Sequence, residues 1–384
     1  FSCTCNRCNL HNNLYNVLCF EETIYSIRRT SINWFQQQFS TQLNSNYAMN
    51  ISEDIKGQTS SNFGTSFNHS SPSIDWQEAD FIAYATIMIM ILTLGCLGNL
   101  LIIIVLCKPS NLRETLTPLM LNLAVGDLFV TVFGYPTLMG DILTGGDIQA
   151  GTGRCNWYGF VNGAVGIASI VTFTEMSLVL SYSMHQMNPR FKLSRKTIFR
   201  LIGASWLYGV GSMSPPLFGW NRFVPGASKI SCAPDWTDVT PAGMAYSIFL
   251  ITAGFVLPIL AISVACFKIF RLLRQDIVKD NDRIKLRRRR WQLNLLRLTA
   301  TALAAFILSW SPYCFVSVIS IFRGNNLLSP GEAEIPALMA KASVIYNPFV
   351  YTILNKRFRM TLWVNLSRLC CKKFKFFSKY NRSS

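Results

Sequence analysis

The sequence predicts an all-α membrane protein: a seven-transmembrane helical bundle with a short amphipathic surface helix after the seventh span. Three observations lead there. Half of the 384 residues are hydrophobic and only 14% are charged, whereas soluble chains run near one quarter charged. Seven apolar runs are each about 20 residues or longer, enough at ~1.5 Å rise per residue to cross a bilayer. Basic residues gather in alternate loops between those runs. A buried core helix of a soluble protein could account for one run, but not for seven with no polar shell between them.

The elements follow in order. Residues 1–80 form a polar tail rich in Asn, Ser and Gln. The chain begins at Phe1 rather than Met, so its start is expected to be missing or processed, and no signal peptide is recognised. Asn50-Ile51-Ser52 and Asn68-His69-Ser70 in this tail are glycosylation acceptors. Cys3, Cys5, Cys8 and Cys19 have no matched second pair for a metal site, and on the outer side they are expected to form disulfides.

The transmembrane region, 81–355, holds spans expected at Phe81–Cys107, Thr117–Gly140, Trp157–Met184, Ile198–Phe218, Ala242–Phe267, Leu295–Phe322 and Ile335–Leu354. Pro136, Pro215, Pro216, Pro258, Pro312 and Pro348 lie within these spans and predict kinks, tolerated where neighbours satisfy the freed carbonyls. Lys108 and Arg113 follow the first span, Arg190 to Arg200 the third, and the run Arg287-Arg288-Arg289-Arg290 separates the fifth and sixth. The opposite loops carry little beyond Arg154, Arg222, Lys229 and Arg323. The N-terminus is therefore expected outside and the C-terminus in the cytoplasm, with the plasma membrane as location. A net charge of +17 would elsewhere suggest nucleic acid; here it faces the anionic lipid leaflet, and no nucleic-acid partner is expected. In the tail 356–384, apolar residues at helical spacing from Asn355 to Trp363 predict the surface helix, and Cys370-Cys371 beside basic residues are palmitoylation candidates.

Enzyme chemistry has little to rest on. His11, His69 and His185 form no ligand cluster, no glycine-rich phosphate loop occurs, and no nucleophile is paired with a base. The informative residue is Lys341, in the middle of the seventh span. An ionisable group there costs roughly 2.5–3.5 kcal/mol on insertion scales and points to function. Burial favours the neutral amine, which attacks a carbonyl and suits Schiff-base formation with an aldehyde. The alternative is an ion pair with a carboxylate such as Asp127 in the second span.

The stretch Met339-Ala340-Lys341-Ala342-Ser343-Val344-Ile345-Tyr346-Asn347-Pro348-Phe349-Val350-Tyr351 resembles the seventh helix of opsins, joining their retinal-binding lysine to the NPxxY motif of rhodopsin-like G-protein-coupled receptors. Gly98-Asn99, Leu121 to Leu128 (LNLAVGDL), Ser309-Trp310-Ser311-Pro312-Tyr313 and Pro215 to Phe223 (PPLFGWNRF) match in the same order. The resemblance covers about Phe81 to Cys371. It implies a retinal cofactor, 11-cis or all-trans, on Lys341, with Trp310, Tyr313, Phe306 and Tyr158 around it. It also implies a Cys155–Cys232 disulfide that holds the second outer loop over the pocket. Asp127 resembles the polar mid-membrane site of these receptors, in a network with Asn99 and Asn347, and Pro348 and Tyr351 complete the activation motif. The implied function is a light-sensing G-protein-coupled photoreceptor; the alternative is a retinal photoisomerase or retinal-storing opsin with little or no coupling.

Two departures from the family matter. Opsins place a carboxylate counterion either three residues after the third-span cysteine or in the second outer loop; here those positions are Tyr158 and Gly226. Glu334 lies two helical turns before Lys341, about 10.5 Å along the axis, which predicts no direct pair without water. The expectation is an unprotonated, ultraviolet-absorbing Schiff base, or one balanced by a bound anion such as chloride. The second departure is the Asp/Glu-Arg-Tyr triplet that contacts G proteins, which reads Val179-Leu180-Ser181 here. Coupling to a heterotrimeric G protein is in doubt for that reason.

Overall fold

A computed structural model describes residues 78–108, 115–138, 148–185, 193–226, 230–276, 283–323, 330–354 and 359–360, all within the unit Ser73–Ser384. Asn50, Asn68, the N-terminal cysteines, Cys370, Cys371 and most of the expected surface helix lie outside the described residues.

The elements run α1 (Glu78–Leu106), α2 (Thr117–Phe129), α3 (Gly153–His185), α4 (Arg195–Met213), β1 (Phe223–Pro225), β2 (Cys232–Pro234), α5 (Pro241–Ile251), α6 (Leu257–Asp276), α7 (Arg283–Arg323), α8 (Pro330–Lys341) and α9 (Ser343–Leu354). Helices are what the bilayer demands, since every backbone donor and acceptor must find its partner within the chain. Among the described residues, five stretches are long and apolar enough to cross: Ile82–Leu106, Thr117–Leu138, Gly153–His185, Pro241–Leu272 and Gln292–Phe322. The pair Glu334–Lys341 and Ser343–Leu354, bent by 40°, makes a sixth, broken span. The seventh, α4, is less apolar because Arg195, Lys196 and Arg200 occupy its first turns. It packs along α3.

Helix α3 runs through the middle, touching α2, α4, α6, α7 and both strands, while α9 closes the ring against α1 and α7. Burial follows that plan. The apolar window of α3 is 72% buried; that of α1 is 33% buried and turns Ile89, Leu97 and Ile104 outward. Some polar side chains inside pair across helices. Trp206 Nε1 donates to Asn122 Oδ1 at 2.9 Å, and Asn122 Nδ2 donates to Thr172 Oγ1 at 3.0 Å, tying α4, α2 and α3 together.

The prolines act differently from one another. A proline cannot donate to the preceding turn. The chain widens into π turns at Val130–Gly134, ahead of Pro136, and at Thr252–Val256, ahead of Pro258. Phe133 O accepts from Trp157 Nε1 at 2.8 Å, and Ala253 O accepts from Tyr208 Oη at 2.9 Å. Pro348 leaves Val344 O without its helical donor, and Asn99 Nδ2 supplies one at 2.8 Å. The expected kinks at Pro215 and Pro216 are a correction. These two end α4 in a 3₁₀ turn, Pro215–Phe218, closed by Gly219 at φ 89°, because tandem prolines strip the donors a further α turn requires. Helix α7 also begins at Arg283 rather than Leu295. Its basic residues are good helix formers, and they fall outside an apolar scan.

At the start of α5, Thr240 Oγ1 accepts from Gly243 N at 3.1 Å as an N-cap. Thr240 also holds the exposed Asp238 carboxyl below its ordinary pKa, through its hydroxyl and then its amide. That contact stabilises the fold above the unfolded carboxylate range and is lost as pH falls through the lowered value. Thr240→Ala is expected to cost about 1 kcal/mol of stability by thermal unfolding in detergent.

Candidate functional site

Lys341 is the last residue of α8, at the point where the seventh span breaks. The break frees carbonyls, and side chains from elsewhere take them up. Tyr135 Oη donates to Lys341 O at 3.2 Å, and Ser309 Oγ donates to Met339 O. The Lys341 side chain is 8% exposed, and Nζ stands 2.5 Å from Glu334 Oε1, whose own side chain is 4% exposed. Tyr84 Oη lies 3.5 Å from Nζ, and the Tyr84 and Tyr158 rings flank it with centroids at 5.6 and 5.9 Å.

This ion pair overturns the expectation that Glu334 is too far from Lys341. The 10.5 Å was a rise between backbones. Residues seven apart return to the same helix face, and helical side chains lean toward the N-terminus, so the lysine stem climbs toward the carboxylate. The pairing with Asp127 left open above does not occur. Asp127 Oδ2 accepts from Asn347 Nδ2 at 2.8 Å instead.

One apolar cavity borders Lys341, Tyr158, Phe306, Trp310 and Tyr313, and extends past Gly166. Trp310 forms its floor. The indole stacks on Phe306 with centroids 5.6 Å apart, meets Tyr313 edge-on at 6.1 Å, and donates from Nε1 to Ser343 Oγ at 3.3 Å. Gly166 makes room for it: a Cβ there would stand 2.7 Å from Cη2 of the ring.

The roof is the β1–β2 hairpin, paired antiparallel with Val224 opposite Ala233. Cys232 in β2 is bonded to Cys155 at the start of α3. Phe223 is 1% exposed and seats on Gly159, where no side chain intervenes. Asn221 (φ 75°) donates to Asp235 O at 3.0 Å, Arg222 Nε meets Asp235 Oδ2 at 3.1 Å, and Trp236 Nε1 donates to Tyr313 Oη at 3.2 Å. Residues of the hairpin and its flanks thus reach α3 and α7.

Beneath the cavity, Asn347 bonds Asp127 directly. Asn99 does not join them; it donates to Gly95 O and Val344 O. Near the C-terminal end of α3, Val179 is buried in one apolar cluster with Ile262, Leu298, Ala302 and Tyr351, and Leu180 is 2% exposed. Apolar contact surrounds this stretch of α3.

Sequence reading missed four groups around the lysine: Glu334 as its partner, Ser231, and the hydroxyls of Tyr84 and Tyr135. The Glu334 to Lys341 spacing carried the first signal. Ser231, beside the bridged Cys232, donates to Glu334 Oε2 at 3.0 Å. Nothing in linear order brings Tyr84 or Tyr135 to Lys341.

Comparison with known proteins places this arrangement. The signature described as "7 transmembrane receptor (rhodopsin family)" matches residues 98–351. Rat (Rattus norvegicus) melanopsin is 30% identical over 302 residues, 76% of this chain and 63% of that one. A "Rhodopsin, G0-coupled" of Mizuhopecten yessoensis is 31% identical over 278 residues, 70% of this chain and 68% of that protein. The chain therefore spans less than two thirds of the rat melanopsin's length. The crystal structure of squid rhodopsin superposes with a TM-score of 0.69 at 24% identity, covering 80% of this chain and 91% of the squid chain. A broken seventh span carrying a buried lysine, a disulfide-tethered hairpin roof and these matches agree: the chain is a multi-pass membrane protein of the rhodopsin family of receptors and, within it, an opsin.

Proposed function

We propose that this opsin is a light-sensing receptor that carries retinal on Lys341. The observation that supports it is a buried lysine nitrogen at the edge of an apolar, aromatic-walled cavity closed by a tethered hairpin. Retinal, when bound as a Schiff base, supplies a polyene that isomerises on absorbing light. The chain's residues fit it: an amine for attachment, Trp310, Phe306 and Tyr313 as apolar faces, and Gly166 as the gap that seats Trp310. The hairpin covers the cavity beside Nζ, and the Lys341 side chain is 8% exposed. Trp310 is bonded to Ser343 in α9, so a push on the indole is carried to the half-span that holds Asn347, Pro348 and Tyr351. The basic loops support a cytoplasmic C-terminus and an outer N-terminus at the plasma membrane.

The test is to incubate the purified protein with 11-cis-retinal, reduce with borohydride and map the adduct by mass spectrometry. The adduct is expected on Lys341 and absent from Lys341→Ala. No adduct on the wild-type lysine, or one that survives in the alanine variant, sinks the reading.

A second reading, retinal photoisomerase or store, is favoured by one observation: buried Val179 and Leu180 stand where a G-protein-contacting arginine is expected. Light-dependent calcium or cyclic-nucleotide responses in transfected cells support signalling through a heterotrimeric G protein. Their absence, with a change of retinal isomer on illumination, supports the second reading.

A further inference from the structure

We propose that Glu334, oriented by Ser231, is the internal counterion of the cationic nitrogen on Lys341, and that this chain therefore forms a protonated, visible-absorbing pigment without added chloride. The inference rests on the retinal reading above and replaces the expectation of an unprotonated or halide-balanced nitrogen.

Both oxygens of the Glu334 carboxylate are engaged. Oε1 lies 2.5 Å from Lys341 Nζ, and Oε2 accepts from Ser231 Oγ at 3.0 Å. Ser231 precedes Cys232, whose bridge to Cys155 fixes that part of the hairpin to α3. The anion is thus held by groups that are already in place, and it need not reorganise to serve the cation. Among the described residues, the other titratable groups beside Nζ are hydroxyls, Tyr84 from α1 and Tyr158 from α3, while Tyr135 Oη bonds the Lys341 carbonyl. Asp127 is committed to Asn347. The hairpin position where the family can place a carboxylate is Gly226, whose amide donates to the Ser231 carbonyl at 2.9 Å.

Condensation does not remove the need for this anion. An ammonium reacting with an aldehyde exchanges two N–H bonds for one C=N bond, and the two hydrogens leave with the carbonyl oxygen as water. The nitrogen keeps one hydrogen and its single positive charge. It stays on the same side chain, within reach of Oε1. A buried cation with a hydrogen-bonded anion beside it keeps its proton; without the anion it loses it.

The experiment compares wild type, Glu334→Gln, Glu334→Asp and Ser231→Ala, each purified in chloride-free buffer with 11-cis-retinal. Wild type is expected to absorb in the visible. Glu334→Gln is expected to absorb in the ultraviolet at neutral pH, its proton affinity at the nitrogen reduced about a hundredfold, with the visible band returning on acidification or on adding chloride. Glu334→Asp, which sets the carboxylate back by one methylene, keeps a visible band that is lost at lower pH than in wild type; Ser231→Ala shifts the same way by less. A readout on the apoprotein needs no pigment. Reductive methylation of Lys341 by formaldehyde and cyanoborohydride at neutral pH should run about tenfold faster in Glu334→Gln, because more of the amine is neutral. A wild-type pigment that is ultraviolet, or visible only with chloride, overturns the proposal. So does a Glu334→Gln pigment identical to wild type, or an unchanged methylation rate. If retinal forms no adduct on wild-type Lys341, the retinal reading fails, and the methylation rate still decides whether Glu334 holds the charge on that nitrogen.

Discussion

Cys232→Ser is expected to lower stability by about 4 kcal/mol and to open Lys341 to reagents in water. The bridge joins residues 77 apart in sequence, and closing so long a loop removes about that much entropy from the unfolded chain in the chain-entropy treatment. For a protein of this size the apparent melting temperature should fall by about 5 °C. The local consequence is larger than the global one. Cys232 lies in β2, one residue from Ser231, so loss of the bond releases the strand that orients Glu334 and roofs the cavity. Reductive methylation of Lys341 in the apoprotein should accelerate along with the drop in melting temperature. The double variant Cys155→Ser/Cys232→Ser separates bond from thiol: if the bond carries the effect, the double variant matches either single, since the second change has nothing left to break. Equal melting temperatures for wild type and Cys232→Ser would show that hairpin contacts alone hold the roof.

The bundle was legible because a bilayer imposes a length and an apolar composition on every span, and α1, α2, α3, α5–α6 and α7 carry both. The boundaries were less so. Pro215 and Pro216 sit in an apolar run that hydropathy alone assigns to a span, although two adjacent residues without amide donors end a helix more readily than they bend it. The basic start of α7 is helical and lies outside any hydropathy window. At the site, Lys341 announced itself by chemistry, as the one ionisable side chain in the middle of its span, and the aromatic partners and the disulfide came by resemblance. The axial separation of Glu334 from Lys341 leaves out the four methylenes of lysine and the lean of helical side chains, which close the gap. Tyr84 and Tyr135 were invisible for a different reason. They converge on Lys341 from other helices, and periodicity states which face a residue occupies on its own helix but not which residues of other helices meet there.

Gly166→Leu is expected to cost about 3 kcal/mol and to abolish adduct formation at Lys341 without touching the lysine. The Trp310 ring is confined on its remaining sides by the Phe306 stack, by Tyr313 edge-on and by the bond to Ser343. Even the first carbon of a side chain at 166 falls 2.7 Å from the indole, closer than any relaxed contact. Overfilling a confined site of this kind costs up to about 3 kcal/mol. The strain has one outlet, the cavity, so the indole moves into the volume proposed for the polyene. Trp310→Ala alone should also cost about 3 kcal/mol, by leaving a void under the same cavity. Together the two changes should cost much less than their sum, because the leucine fills the space the indole vacates; a coupling of about 2 kcal/mol is expected from thermal unfolding. Adduct formation gives the sharper discrimination. If Gly166 matters only for helix contact, the two costs add and the adduct yield stays where Gly166→Leu put it. If Gly166 sets the floor of the pocket, as the position of Trp310 implies, removing the indole clears the cavity, the yield returns and the two costs fall short of their sum.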